Sequence, residues 1–132
     1  MVPTLRGLLE RFERLCPGTP VTYYSKKTGP EHWRALEGLA IACRGIDWTH
    51  DIAEVLREWS GRYAIQGNFA PEKMTLPRKE LEPLLREWML RAKSAPASAR
   101  RGWVCGLGHG VLQTTPEDNV RLFVKLAREI FP

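Results

Sequence analysis

The chain has 132 residues and a formal net charge of +5; 43% of its residues are hydrophobic and 27% are charged. This composition is typical of one soluble globular domain, which we place over residues 1–132. No segment approaches the ~20 apolar residues of a membrane span, so we predict no membrane partner. The basic residues are spread along the chain without a run, so we predict no nucleic-acid partner.

The three cysteines, Cys16, Cys43 and Cys105, indicate a reducing compartment. Their odd number argues against a disulfide framework, and none of their spacings matches a zinc knuckle. The first residues also lack the apolar run of a secretory signal. We therefore predict reduced thiols, a cytoplasmic location and no metal site, with Cys105 packing as a small apolar residue.

Helices and strands alternate in the predicted secondary structure. Apolar residues at helical spacing predict the helices, and β-branched or aromatic runs predict the strands. In the first half, the predicted elements are a helix over 4–15, a strand over 20–25, a helix over 30–42, a strand over 44–48 and a helix over 51–59. In the second half, they are a strand over 63–67, a helix over 78–92, a linker over 94–101, a strand over 102–107 and a final helix from 116.

Three residues near helix starts carry further predictions. Pro83 lies inside the predicted helix 78–92 and lacks a backbone donor, so we expect that helix to bend there or to start late. Thr115 is predicted as the N-cap of the last helix and Pro116 as its first residue.

This alternation predicts an α/β fold with parallel strands joined by right-handed crossovers. Four such units are half of a (β/α)8 barrel, which typically needs about 250 residues. We therefore expect a half-barrel with two exposed edge strands. Such a chain is a fragment, pairs with another half, or forms a small open sheet.

Ligands of parallel α/β proteins gather at the carboxyl ends of the strands. The four predicted ends are polar or contain glycine; they are residues 25–27, 47–49, 66–68 and 108–110. His109 stands out because glycines flank it and its imidazole can exchange a proton near neutral pH. A turn with a solvated histidine is an equally good interpretation.

Four further residues at these ends are candidates for substrate binding. Gln66 and Asn68 offer side-chain amides, although a tight turn alone explains them. Asp47 can accept bonds from a substrate or satisfy nearby backbone groups. Lys27, like Lys26 before it, can pair with substrate carboxylates or simply be solvated. The two remaining histidines, His32 and His50, are predicted to lie on the surface.

Three segments resemble the uroporphyrinogen decarboxylase family in order and spacing. The run from Gly106 to Val120 resembles that family's C-terminal signature, with its LGHG centred on His109. Residues 63–68 are similar to its QGN strand, and residues 45–48 to its GLDW strand. The chain departs from the family at 69–71, where Phe-Ala-Pro replaces Leu-Asp-Pro, and at 113–114, where Gln-Thr replaces Pro-Asp.

The resemblance implies a TIM (β/α)8 barrel that works as a cytosolic homodimer without a cofactor. It implies removal of four acetate carboxylates from uroporphyrinogen as CO2, giving coproporphyrinogen. The family's arginine-rich motif and pyrrole-binding aspartate belong to the N-terminal half, so this chain resembles the C-terminal half alone. Of the family's site residues, His109 is carried over, for substrate contact or proton relay. Asp47, Gln66, Asn68 and Lys27 are further candidates for this pocket wall.

Three hypotheses follow. In the first, the chain is the C-terminal part of a uroporphyrinogen decarboxylase and is inactive by itself. In the second, it is a zinc-dependent methyltransferase of the same superfamily, although it lacks the HxC ligands. In the third, it is a non-catalytic half-barrel that self-associates and binds tetrapyrroles or other polyanions.

Overall fold

The computed structural model describes residues 1–132 and confirms the alternation of helices and strands. The strands are β1 (Thr22–Tyr24), β2 (Cys43–Gly45), β3 (Ala64–Phe69) and β4 (Trp103–Leu107). The helices are α1 (Val2–Leu15), α2 (Pro30–Ala35), α3 (Ile52–Trp59), α4 (Arg78–Lys93), α5 (Ala97–Arg100) and α6 (Glu117–Ile130), with a 3-10 helix at Pro71–Thr75. None of these helices is both long and apolar enough to cross a membrane.

The four strands form one parallel sheet in the order β1-β2-β3-β4, which confirms the predicted parallel α/β architecture. Each strand pairs with the next one along the chain, so a helical connection links every neighbouring pair. The register aligns Tyr24 with Gly45, Gly45 with Gln66, and Gln66 with Val104. Since side chains alternate along a strand, these four positions share one face of the sheet.

The helices cover the opposite face, and the core lies between them and the sheet. One cluster packs α3 against Ile65 of β3; its other large members include Trp33, Ile46, Ile52, Leu56 and Trp59. A second cluster packs α4 and α6 around Phe69 of β3; it includes Met74, Leu81, Leu85, Met89, Leu122 and Leu126. A smaller cluster joins Leu9 of α1 to Leu36, Leu39 and Ile41. One face of the sheet therefore packs against the helices.

The other face of the sheet is uncovered, and we call it the open face. It carries Thr22, Tyr24, Cys43, Gly45, Gln66 and Val104. Val104 is 52% exposed and Tyr24 is 41% exposed. The outer edges of β1 and β4 also lack a strand partner. This side of the molecule therefore presents exposed apolar side chains and unpaired backbone groups.

Two predicted boundaries are wrong in the connections. The helix predicted over 30–42 ends at Ala35, because the chain turns at Gly38 (φ +77°) and returns Leu39 and Ile41 to the core. The segment 94–101, predicted as a linker, contains the short helix α5.

The predicted starts of α4 and α6 also need correction. α4 begins at Arg78 and continues through Pro83, so the predicted late start is wrong. Pro83 is exposed, and its ring therefore displaces no core side chain. Thr115 is not the N-cap of α6: Pro116 occupies that position in an extended conformation, and the helix begins at Glu117. The Thr115 hydroxyl is instead buried without a hydrogen-bond partner.

β2 buries a cation in the helix-covered face. Arg44 is 2% exposed, and its three guanidinium nitrogens have no hydrogen-bond partner. Its guanidinium carbon lies 3.8 Å from the centre of the Tyr63 ring and 5.6 Å from that of Trp59. Burial lowers the pKa of Arg44, against the opposing influence of Tyr63 and Glu37. Aromatic faces therefore replace hydrogen bonds around this charge.

Candidate functional site

The loops after the strands meet at the carboxyl edge of the sheet, as the parallel topology requires. A cavity of about 450 Å³ lies there, where this edge meets the open face. Its walls include Tyr24, Gly45 and Gln66 from three strands, and Gly108 and His109 from the loop after β4. The structure thus brings two predicted site residues, Gln66 and His109, into one cavity.

His109 is held in a defined orientation. Its Nδ1 lies 2.7 Å from the carbonyl oxygen of Gly110. Since a carbonyl oxygen only accepts, we assign the proton to Nδ1, which leaves Nε2 for a ligand. The imidazole packs edge-to-face on the Trp48 indole, with ring centres 5.2 Å apart and planes at 74°.

Two glycines allow the loops to approach this closely. A Cβ on Gly108 would lie 2.7 Å from Cε3 of Trp48 and 3.2 Å from Cα of Asp47. Gly67 has φ +122°, and a Cβ there would lie 2.6 Å from the carbonyl oxygen of Ile46. Close contact between the ends of β2, β3 and β4 therefore depends on both glycines.

Asp47 lies behind the cavity wall, only 1% exposed. Its Oδ2 accepts a hydrogen bond from the backbone N–H of Lys27, and its Oδ1 accepts from the backbone N–H and hydroxyl of Thr49. Burial raises the pKa of the Asp47 carboxyl, but the hydrogen bonds from Thr49 and Lys27 outweigh burial and lower the pKa below its usual range. The carboxylate joins two loops, and its predicted contact with substrate stays a prediction.

Asn68 is similarly engaged, and it is 2% exposed. Its Nδ2 donates to the carbonyl oxygens of Asp47 (2.8 Å) and His50 (2.7 Å), and its Oδ1 accepts from Nε1 of Trp88 (3.1 Å). It borders a separate cavity of about 620 Å³ between α3 and α4 rather than the cavity at His109. Its predicted contact with substrate also stays a prediction, and its bonds tie β3 to α4 and to the loop after β2.

The two lysines after β1 differ in their surroundings. The backbone of Lys27 has φ +57° and donates to Asp47, while its side chain is exposed. The Nζ of Lys26 lies 4.8 Å from the centre of the Trp48 ring. Lys27 was the predicted site residue, but it is Lys26 that contacts the indole. No spacing signal distinguishes a lysine above an indole from a solvated one.

His50 was predicted to lie on the surface, and this is wrong. It is half-buried, its Nε2 lies 2.7 Å from the carbonyl oxygen of Thr28, and its ring packs on Trp33 with centres 4.7 Å apart. His32 is also half-buried, with its Nε2 2.9 Å from the Tyr23 hydroxyl. Both histidines are therefore structural contacts of the β1–α2 region.

Trp48 belongs to the predicted strand end 47–49 but was not among the candidate site residues, whereas the structure places it at the centre of the loop cluster. It contacts Lys26, Gly108 and His109, and it also borders the cavity between α3 and α4. Its place in the predicted strand end 47–49 was the available signal.

No group of three or more His, Cys, Asp or Glu side chains is placed to hold a metal ion. All three cysteines are free. Cys105 is half-buried, and burial raises the pKa of its thiol to about 12, which suits its predicted role as a packing residue.

Comparison of the sequence with known proteins assigns the chain to a family. The sequence profile described as "Uroporphyrinogen decarboxylase (URO-D)" matches residues 1–130. The chain belongs to the uroporphyrinogen decarboxylase family. The motif resemblance around residues 45–48, 63–68 and 106–120 is thereby confirmed at the level of the family.

Curated members of the uroporphyrinogen decarboxylase family resemble nearly the whole chain. The uroporphyrinogen decarboxylase of Solibacter usitatus is 34% identical over 131 residues, which are 98% of this chain and 35% of that protein. That of Cupriavidus necator is 39% identical over 91% of this chain and 33% of its own length. The chloroplastic uroporphyrinogen decarboxylase 1 of Oryza sativa is 27% identical over 97% of this chain. The chain spans about a third of the length of the curated relatives it matches.

Proposed function

We propose that this chain forms one wall of a uroporphyrinogen decarboxylase active site. In this proposal, the enzyme removes the four acetate carboxylates of uroporphyrinogen as CO2 and yields coproporphyrinogen. The observation that carries the proposal is the seating of His109, in the family's LGHG segment, beside a cavity that opens on the uncovered side of the sheet. We also propose a cytoplasmic location, because three free thiols suit a reducing compartment.

The reaction needs a proton, an electron sink and cations for the carboxylates. Protonation of a pyrrole ring carbon creates a cation, and the C–C bond to the acetate carboxylate then breaks. The bonding electrons neutralise that cation, CO2 leaves, and the exocyclic methylene takes up a proton to become methyl as the ring proton departs. Each round therefore consumes one proton and releases one CO2, with no redox change.

His109 is our candidate for substrate contact or proton relay. With its proton on Nδ1, the neutral ring presents the Nε2 lone pair, and the doubly protonated ring presents an N–H that binds a carboxylate. Gln66, exposed in the same cavity, supplies amide hydrogen bonds to the substrate. Lys27, exposed in the loop after β1, supplies a cation for a substrate carboxylate. Asp47 and Asn68 act as positioning residues that fix the loops through the hydrogen bonds described above.

The open face requires a partner, and the helices favour a complementary half-barrel over a second copy of this chain. α2, α3 and α4 follow β1, β2 and β3, while α1 and α6 flank the two outer strands. If two copies closed a ring, α6 of one copy and α1 of the other would compete for the same gap between strands. A partner that begins and ends with a strand uses both helices without conflict.

The edge beside α1 has the surface that such a partner strand needs. Leu8 and Leu15 of α1 are 63% and 71% exposed. Leu8 and Phe12 border an apolar hollow of about 370 Å³ with Pro20 and Val21, directly before β1. Burial of these side chains by a neighbouring strand would stabilise the assembly.

The test joins this chain with the part of the Solibacter usitatus relative that it does not match. We expect no coproporphyrinogen from the chain alone, and coproporphyrinogen formation from the two parts together. In the assembled protein, His109→Asn should lower kcat by at least tenfold. Turnover by the isolated chain, or an assembled protein indifferent to His109, would contradict the proposal. A stable dimer of this chain that binds uroporphyrin without turnover would favour the non-catalytic alternative.

A further inference from the structure

A lysine and a histidine from distant parts of the chain contact the same indole. The Nζ of Lys26, in the loop after β1, lies 4.8 Å from the Trp48 ring centre. The imidazole of His109, in the loop after β4, lies 5.2 Å from the same ring. We call Lys26, Trp48 and His109 the rim cluster. It brings together loops from the first and last strands of the sheet.

The rim cluster has no neutralising acid. Neither Lys26 nor His109 takes part in any of the seven salt bridges of the molecule. The nearby carboxylate, Asp47, is buried, and its oxygens are occupied by Lys27 and Thr49. An anionic ligand is therefore the natural counter-charge at this point.

The loop that carries Lys26 is fixed rather than free. Its next residue is bonded to Asp47, the Thr28 hydroxyl donates to the carbonyl oxygen of Ser25 (3.1 Å), and the Thr28 carbonyl lies 2.7 Å from Nε2 of His50. Gly108 packs directly against Trp48. Because both loops are held against the segment 47–50, the backbone positions from which Lys26 and His109 extend are set before a ligand arrives.

We propose that the rim cluster is a subsite for two neighbouring carboxylates on one ring of the substrate, with Trp48 as the positioning residue that spaces Lys26 from His109. This inference rests on the proposed function and deepens it. An acetate and a propionate on adjacent carbons of one pyrrole present such a pair of anions. Once the acetate has lost CO2, that ring keeps a single carboxylate and binds the subsite less tightly. The subsite thus distinguishes a ring that has not reacted from one that has.

The test measures binding of two porphyrins to the full chain assembled with the unmatched part of the Solibacter usitatus relative. Uroporphyrin retains the acetate and propionate arms, whereas coproporphyrin has lost the acetate carboxylates. We expect wild type to prefer uroporphyrin, and Lys26→Met to weaken uroporphyrin binding about tenfold, the worth of one charge-assisted hydrogen bond. The same change should alter coproporphyrin binding by less than about threefold. Trp48→Leu should lose the preference, and Trp48→Phe, which keeps an aromatic face, should restore most of it.

Lys125→Met is the matched control, since Lys125 is an exposed lysine on α6 and should leave both affinities unchanged. Circular dichroism melting checks that each variant is folded, and Lys26→Met, at an exposed position, tests the subsite independently of Trp48. If wild type prefers uroporphyrin but Lys26→Met behaves like Lys125→Met, the subsite is refuted and the proposed function stands. If wild type binds uroporphyrin no better than coproporphyrin, the proposed substrate itself is refuted.

Discussion

Individual residues at the carboxyl edge were partly predictable from their chemistry. Polar residues after strands identified His109 and Gln66, which share a cavity. The engagement of Asp47 and Asn68 with neighbouring loops was not predictable, because it depends on contacts between segments about 20 residues apart in sequence. A side-chain type indicates what a residue can bind, but only the fold decides which partner reaches it first.

Gly108 provides a direct test of loop packing. We expect Gly108→Ala to lower the free energy of unfolding by about 1–3 kcal/mol, because the new methyl would meet backbone atoms of Asp47 and Trp48. The measurement is urea denaturation followed by circular dichroism. Gly110→Ala is the control, since a Cβ there has no atom within 4 Å. Equal stability of the two variants would show that the close approach at Gly108 is unimportant.

Asp47 makes stability depend on pH in a predictable direction. Because the pKa of Asp47 is lowered in the folded chain, its contribution is present above the unfolded pKa of about 3.9 and is lost as pH falls through the folded pKa. We expect Asp47→Asn to cost about 1–3 kcal/mol at pH 7, with the difference from wild type shrinking in acid. Urea denaturation across pH 2–7 measures this. Asp118→Asn, on the exposed first turn of α6, should change stability by less than about 1 kcal/mol; a pH-independent deficit in Asp47→Asn would contradict the assignment.

At the scale of elements, the sequence located each strand and main helix but misplaced several ends. The strands were predictable because β-branched and aromatic runs alternate with helical stripes. The end of α2 was not, because the return of Leu39 and Ile41 to the core decides where the helix stops. The disruptive effect of Pro83 on the helix was overestimated, because packing of Leu81, Leu85 and Met89 stabilises α4 around it.

β2 offers a prediction about its buried cation. Arg44 has no hydrogen-bonded partner, so its desolvation is offset by the faces of Tyr63 and Trp59 and by the charge of Glu37. We expect Arg44→Met, an apolar side chain of similar length, to leave the free energy of unfolding equal to or above that of wild type. Arg44→Ala should lower it by about 2–5 kcal/mol through the cavity it leaves. Thermal and urea unfolding compare the two variants; an equal loss in both would mean that the charge itself stabilises β2.

At the scale of the whole molecule, helix–strand alternation predicted parallel strands, and each strand lies beside the next one along the chain. Alternation does not reveal which face is left bare, because the strands are only three to six residues long. The exposure of Val104 and Tyr24 identifies the open face.

Val104 tests the role of the open face in assembly. We expect Val104→Lys to leave the fold of this chain intact, because the side chain is already half exposed, and to abolish binding of the complementary half-barrel by burying a charge. Val124→Lys, at a 43% exposed valine on α6, should preserve assembly. Co-elution in gel filtration reads out binding. If the Val104→Lys variant still bound the complementary half-barrel, the partner would have to bind at a surface other than the open face.

The three cysteines differ in position and exposure, so their rates of alkylation can be used to detect assembly without any mutation. Cys43 lies on the open face beside Thr22, Cys105 is half-buried, and Cys16 is exposed at the end of α1. Burial raises the pKa of both Cys43 and Cys105, so Cys16 should react first with iodoacetamide in the free chain. When the half-barrel acquires its missing strands, labelling of Cys43 should stop while labelling of Cys16 continues. Peptide mass spectrometry would then measure the alkylated fraction of each cysteine before and after assembly.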